Sequence, residues 1–240
     1  MGRVVKGFFV SLKTALWILC LVIVVSLAGT VIVPREKEFQ SVHSMPLLDW
    51  MREQPVESTW WLWASMGLLL VLSANTLVCS IDSVLKKRKV TQWVLLISPQ
   101  VVHIGFLFIL IAHLSSAIGG FKTFAVVEEG TLLEMPDSSV LRIKGIAMSF
   151  DPNGYLTDWA VDIERWQDGQ MGKKDRLIPN KPVFHKGIGV YVKDLRASPT
   201  RMVLLELSRE PGATWALLGG ILFMVGTIVL LVFKMKREES

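Results

Sequence analysis

Four long apolar stretches constrain this chain more than any other feature of its sequence. They run roughly over residues 12–33, 60–81, 94–118 and 213–233. The hydrocarbon core of a bilayer is about 30 Å thick and is crossed by about 20 apolar residues in a helix. The sequence therefore predicts four transmembrane helices, and the hydrophobic content of 51% excludes an ordinary soluble domain.

Basic residues cluster before the first stretch, between the second and third, and after the fourth. They are Arg3, Lys6, Lys13, Lys86, Lys87, Arg88, Lys89, Lys234, Lys236 and Arg237. Such clusters mark the cytoplasmic side of a membrane, so we expect both termini inside and the segment 119–212 outside. The first stretch is longer than a typical cleaved signal, and we interpret it as a retained anchor. The net charge of +5 then reflects topology and gives no indication of nucleic-acid binding.

The segment 119–212 has a different character from the rest of the chain. Apolar and polar residues alternate over 159–166, 190–195 and 201–210, as in strands with one buried face. Asp168-Gly169 is a typical hairpin turn. We therefore predict an α+β membrane protein. Its membrane region is 1–118, an extracytoplasmic antiparallel β-sandwich or barrel spans 119–212, and 213–240 holds the fourth helix and a cytoplasmic tail.

Local signals within the apolar stretches predict helix starts, interfaces and packing. Ser98 and Pro99 resemble the N-cap and first residue of a helix. Trp60, Trp61 and Trp63 are typical of a membrane–water interface, with a cofactor-stacking platform as the alternative. Small residues such as Gly219 and Gly226 favour close helix packing; these two lie seven positions apart on one face.

Few residues in the sequence are candidates for chemistry. It contains no phosphate-binding glycine loop, CxxC pair or HExxH helix. Cys20 and Cys79 lie in apolar stretches, where packing is the main interpretation and redox or metal binding the alternative. The plausible ligands are the histidines, which are His43, His103, His113 and His185.

Two of these histidines lie in the third apolar stretch, where polar groups usually have a function. Ten residues of helix separate His103 from His113 by about 15 Å along the axis and by roughly 280° around it. The two side chains therefore cannot bind one metal ion from a straight helix. A functional His103 needs a second group from another helix or chain, whereas a packing histidine needs a hydrogen-bond partner.

Several segments resemble the ResB family of system II cytochrome c maturation. They are "FFVSLKTALWILCLVIVVSLAGTVIVP" at the N-terminus, "ANTLVCSIDSV" at 74–84, "HIGFLFILIAHLSSAIGG" from His103, "LIPNKPVFHKGIGVYVKDL" at 177–195 and "REPGATWALLGGILFMVG" from Arg209. The five occur in the family's order along the chain. The chain departs from the family in two respects: its outer segment is short, and Glu210 stands where the family has aspartate.

The resemblance implies a function as well as a fold. Members of this family work with a partner, ResC (also called CcsA), to carry haem outward and attach it to Cys-x-x-Cys-His motifs of apocytochrome c. It places His103 as an axial ligand of haem b iron, with the second ligand from the partner, and it assigns no role to His113. The apolar face of haem would suit Phe106, Leu107 and Leu110. The chain would then be a non-catalytic or accessory subunit of a cytochrome c synthase.

Two other classes of function are compatible with four helices and a β domain. A non-haem scaffold or assembly subunit would use His103 only for packing. A sensor or transporter would bind a ligand on its β domain. The absence of a cytoplasmic module opposes a sensor, and the scarcity of charged residues in the spans opposes a transporter.

Overall fold

A computed structural model describes residues 7–32, 37–86, 93–167 and 170–238. The chain divides into two compact units. One is helical, and the other is a β unit made of Gly120–Glu210 together with the short segment His43–Met45. Within the β unit, the backbone N–H of Lys122 donates to the carbonyl of His43.

Five α-helices of seven residues or more make up most of the helical unit among the described residues. They are α1 (Leu12–Ile32), α2 (Leu47–Glu53), α3 (Val56–Lys86), α4 (Trp93–Gly119) and α5 (Ala213–Glu238). A short 3-10 helix, Lys37–Ser41, precedes α2. Within the described ranges, α1, α3, α4 and α5 are long and apolar enough to cross a membrane, so the prediction of four membrane-length helices is confirmed.

The predicted helix start at Ser98 is wrong, because α4 begins at Trp93 and continues through Pro99. Ser98 is an interior residue whose hydroxyl donates to the carbonyl of Val94. Proline removes one backbone hydrogen bond and usually ends or bends a helix. In lipid, ending the helix would leave several more backbone groups without partners, and this cost favours helix continuation through the proline.

Glycines bring α4 and α5 into direct backbone contact. A Cβ added at Gly105 would lie 2.5 Å from the backbone N of Phe223, and one added at Gly219 would lie 2.7 Å from the carbonyl O of Gly105. Gly226 meets Val102 in the same way, at 2.9 Å. Without a hydrophobic force between helices in lipid, such close approach supplies the attraction. The packing role predicted for Gly219 and Gly226 therefore agrees with the structure.

An aromatic cluster connects α1, α2 and α3. Trp50 of α2 is fully buried, and its indole donates to the hydroxyl of Ser41. Phe39 packs against the rings of Trp50 and Trp61 at 4.9 and 6.3 Å between centroids. The ring of Trp61 also lies directly against Gly29. Trp61 is therefore a packing residue, while Trp60 and Trp63 are exposed, as an interfacial belt requires.

The β unit consists of two four-stranded antiparallel sheets. Its strands are β1 (Phe121–Glu128), β2 (Leu132–Glu134), β3 (Val140–Phe150), β4 (Leu156–Gln167), β5 (Gln170–Leu177), β6 (Val183–His185), β7 (Ile188–Arg196) and β8 (Met202–Arg209). One sheet has the order β1-β8-β7-β6 and the other β2-β3-β4-β5. Residues from both sheets, such as Leu141, Ile163 and Leu205, share one buried core. This is a β-sandwich, inserted in the chain between α4 and α5.

The predicted fold class is therefore confirmed: an α+β chain with an antiparallel β domain between its third and fourth membrane-length helices. Gln167 pairs with Gln170, as expected for the predicted hairpin. The turn residues themselves, Asp168 and Gly169, lie outside the described residues. The strands β1, β2, β3, β5 and β6 were not predicted from alternation.

Candidate functional site

The candidate site centres on His103, on the third membrane-length helix. Its ring is half-buried, and its Nδ1 lies 2.7 Å from the hydroxyl oxygen of Ser80 on α3. Within the part of the chain that the structure describes, this is the ring's only hydrogen bond, and Nε2 has none. His103 therefore keeps one ring nitrogen available to a ligand.

Three apolar residues share the helix face of His103. Phe106, Leu107 and Leu110 follow it by three, four and seven positions, which places all four side chains along one stripe of α4. Each of the three is half-buried. The stripe combines one nitrogen donor with an apolar surface, and this combination suits a flat apolar ligand that carries a metal.

Haem meets both requirements of this stripe. A neutral imidazole is a common axial ligand of haem iron, and Nε2 of His103 is the nitrogen without a hydrogen bond. The described residues contain no group of three or more His, Cys, Asp or Glu side chains suited to a bare metal ion. A haem iron, in contrast, would need only one protein nitrogen on each side, which a lone histidine such as His103 could supply.

The face of α4 that contacts α5 is a different one. Gly105 contacts Phe223 and Gly219 of α5, and Val102 contacts Gly226. Gly105 is two positions from His103, a rotation of about 200° around an α-helix. The ring of His103 is thus directed away from Gly105, while its Nδ1 lies against Ser80 of α3.

The other histidines have separate environments. His113 is exposed on α4, and His43 is exposed with its backbone carbonyl bonded to Lys122. Nε2 of His185 lies 3.3 Å from Oδ2 of Asp137 in the β unit. His113 is about 15 Å from His103 along the axis of α4, and His43 and His185 are not on this helix, so the structure does not bring the four histidines together.

The surroundings of Asp137 form a second polar cluster, in the β unit. Ser139 donates to Oδ1 of Asp137 at 2.6 Å, and Nζ of Lys186 lies 3.2 Å from Oδ2. Burial alone would raise the pKa of Asp137, but the hydrogen bonds from Ser139 and Lys186 outweigh it and lower the pKa to about 2. Asp137 lies in the turn before β3 and His185 ends β6, so the cluster joins the edges of the two sheets.

Ser80 and Asp137 did not emerge as functional candidates from the sequence. Ser80 lies in the segment "ANTLVCSIDSV" that resembles the ResB family, which was the one available signal. Its contact with His103 joins residues 23 positions apart on two helices, and no local pattern encodes that contact. Asp137 stands in a serine-rich turn of ordinary composition.

No family model matches the chain, but individual known proteins are similar to it. The chain is 23% identical over 118 residues to the cytochrome c biogenesis protein CcsB of Synechococcus sp. (strain JA-3-3Ab), a match that covers 44% of this chain. The chain spans about a quarter of that curated relative, 24%. The resemblance to a ResB-like protein of cytochrome c biogenesis is thereby confirmed.

A solved structure is also similar. It is the cytochrome c haem lyase CcmF, with a TM-score of 0.44 and 13% sequence identity. The superposition covers 85% of this chain and 34% of that one.

Proposed function

We propose that this chain is a membrane subunit of a cytochrome c maturation system, in which His103 holds haem while it is carried to apocytochrome c. The observation that carries the proposal is the stripe of α4, where an imidazole with an open Nε2 lies beside three apolar side chains. The similarity to the cytochrome c biogenesis protein CcsB supports the same class of function.

In this proposal haem is cargo, and its iron supplies two axial positions for nitrogen ligands. His103 binds one of them through Nε2. Phe106, Leu107 and Leu110 contact the apolar macrocycle. The second ligand is a histidine of a ResC/CcsA-type membrane partner, as the resemblance to the ResB family implies; His113 is about 15 Å from His103 along the helix axis and cannot bind the same iron. We assign the thioether-forming step to the partner and an accessory role to this chain.

The proposal includes an orientation in the bacterial inner membrane. The basic clusters at the N-terminus, at 86–89 and in the C-terminal tail support a cytoplasmic location for these segments. The β unit, between α4 and α5, is then on the periplasmic side, where apocytochrome c receives haem. Ser80, six positions before the end of α3, and His103, ten positions after the start of α4, both lie in the cytoplasmic half of the bilayer.

The test is replacement of His103 by alanine in the complex purified with its partner. We expect His103→Ala to lose haem and cytochrome c output, because one iron–nitrogen bond is gone, and added imidazole to restore part of both. His113→Ala is the matched control on the same helix, and we expect it to retain both. Six-coordinate haem in His103→Ala at the level of the unmodified complex would contradict the proposal.

A scaffold without haem is the second candidate, and one observation favours it. The hydrogen bond between His103 and Ser80 is also what a purely packing histidine would make. A visible spectrum of the purified complex separates the two, since a scaffold has no Soret band. Loss of complex assembly in His103→Ala, with no haem in the unmodified complex, would favour the scaffold.

A further inference from the structure

We propose that Ser80 is the positioning residue for His103: its hydroxyl accepts a hydrogen bond from Nδ1–H and thereby leaves the Nε2 lone pair for iron. This inference rests on the proposed function. Ser80 itself does not contact haem in this proposal, and it acts only through the orientation and tautomer of the imidazole.

The geometry is that of a strong hydrogen bond between two helices. The Ser80 oxygen and Nδ1 of His103 are 2.7 Å apart, and both side chains are half-buried. The bond links α3 to α4 at a depth where an unpaired polar atom is costly. Because the ring is held at one nitrogen, its rotation about χ2 is restricted and Nε2 keeps one direction.

The use of the Ser80 hydroxyl differs from that of other hydroxyls in these helices. Hydroxyl groups in membrane helices commonly donate to the backbone carbonyl four residues earlier. The residues that do so here are Thr59, Ser73, Thr76, Ser98, Ser115 and Thr227. Ser80 instead bonds to a side chain of another helix, which indicates that its hydroxyl orients His103.

The chemistry of neutral imidazole sets the direction of this bond. One ring nitrogen carries a hydrogen and the other a lone pair. If Ser80 donated to Nδ1, the hydrogen would be on Nε2, and Nε2 could not bind iron. With Nδ1–H donating to Ser80, the lone pair is on Nε2, as in metal-binding histidines whose other nitrogen donates to an oxygen. A serine hydroxyl can rotate to either role, so iron binding selects the second arrangement.

The expected effect on haem binding follows from the known cost of removing the hydrogen-bond partner of a metal-ligating histidine. Loss of the group that bonds a ligating histidine typically costs about 10–100-fold in metal affinity. We therefore expect Ser80→Ala to release haem about 10–100-fold faster than the unmodified complex. The ligated imidazole should also become less basic, so the haem midpoint potential should shift to more positive values.

The experiment uses the full chain purified with its partner in nanodiscs. Haem transfer to excess apomyoglobin gives the release rate, and redox titration gives the midpoint potential. Ser80→Cys keeps the volume but accepts hydrogen bonds weakly, and we expect it to behave like Ser80→Ala. Ser80→Thr keeps the hydroxyl and should restore the rate and the potential to near those of the unmodified complex.

The matched control is Ser73→Ala. Ser73 lies seven positions before Ser80 on the same face of α3, and its hydroxyl donates to the carbonyl of Leu69. We expect this variant to leave the release rate and the potential unchanged. Equal release rates and potentials in Ser80→Ala, Ser80→Cys and Ser73→Ala would overturn the positioning role. If His103→Ala retained six-coordinate haem, the proposed function would fail, which is a distinguishable result.

Discussion

Replacing Gly105 by alanine should destabilise the helical unit, although alanine is the better helix former. An added Cβ would lie 2.5 Å from the backbone N of Phe223 and 2.7 Å from the carbonyl O of Gly219. Ordinary van der Waals contact begins at 3.4 Å, so α5 would have to withdraw by about 1 Å. The obstructing atoms are backbone, and no side-chain rotation can relieve the clash.

The magnitude follows from two opposing effects. Overpacking of a well-packed contact costs about 1–3 kcal/mol, and a gap of about 1 Å along the helix pair also weakens its dispersion contacts. Replacing glycine by alanine in a helix interior increases the stability of the helix by roughly 0.5–1 kcal/mol. We expect a net loss of about 1–2 kcal/mol in the free energy of unfolding.

Two other glycines provide matched controls. A Cβ added at Gly220 of α5, or at Gly67 of α3, would have no atom within 4 Å apart from its own helix backbone. We expect Gly220→Ala and Gly67→Ala to be neutral or to stabilise by up to about 1 kcal/mol. The sign of the effect therefore differs between Gly105 and its controls, which is a stronger test than a difference in size.

The measurement is unfolding of the purified chain by an SDS titration, followed by circular dichroism of the helices. Gly219→Ala should resemble Gly105→Ala, and the double variant should cost less than the sum because the two residues share one contact. Equal stability of Gly105→Ala and Gly220→Ala would refute the argument that this backbone contact holds α4 to α5.

Two further predictions concern the β unit and the orientation of the chain. The pKa of Asp137 is lowered from 3.8 to about 2, so its charge should stabilise the β unit above pH 4, and this contribution should disappear as the pH falls toward 2. Asp137→Asn should therefore remove that part of the acid dependence of thermal unfolding. The same substitution at the exposed Asp158 is the control and should leave this acid dependence in place. Reporter fusions should give a cytoplasmic signal at Lys87 and at the C-terminus and a periplasmic signal at Asp168, and a periplasmic signal at Lys87 would contradict the proposed orientation.

The membrane helices could be predicted from the sequence because their requirement is local. An apolar run of sufficient length has few alternatives in a bilayer. The boundaries were less certain: α3 extends over Val56–Lys86 rather than 60–81. Helix α2 and the buried Trp50 were not predicted, because a seven-residue helix leaves almost no periodic signal and its burial depends on Phe39 and Trp61.

The β unit shows why alternation finds some strands and misses others. Strand β3 has buried residues at Leu141, Ile143 and Ile146, so the alternation changes phase at an irregularity between Ile143 and Gly145. The backbone N–H of Ile146 that follows this bulge donates to the side chain of Glu129 at 2.7 Å. A bulge breaks the period of two, and the residue that satisfies its free N–H lies on another segment, beyond the range of a local pattern.

The candidate site was predictable in one part and not in another. His103 was identifiable because a histidine in an apolar span is unusual, and the apolar residues at Phe106, Leu107 and Leu110 follow from helix periodicity. Ser80 was not, because serine is common in membrane helices and usually bonds to its own backbone. Only the packing of α3 against α4 distinguishes it from Ser73.

The spacing of His103 and Gly105 has a physical explanation in the two contacts of α4. Two positions along an α-helix correspond to a rotation of about 200°, so the two residues face nearly opposite sides. His103 bonds to Ser80 of α3, and Gly105 admits the backbone of α5. This spacing therefore gives α4 a hydrogen bond to α3 on one side and a close backbone contact with α5 on the other, within a single turn. Because the two faces are separate, Ser80→Ala should alter haem release with little effect on the α4–α5 contact, and Gly105→Ala should lower stability chiefly through α5. If the two substitutions were strongly non-additive in the free energy of unfolding, the faces would be coupled and this division of α4 would be wrong.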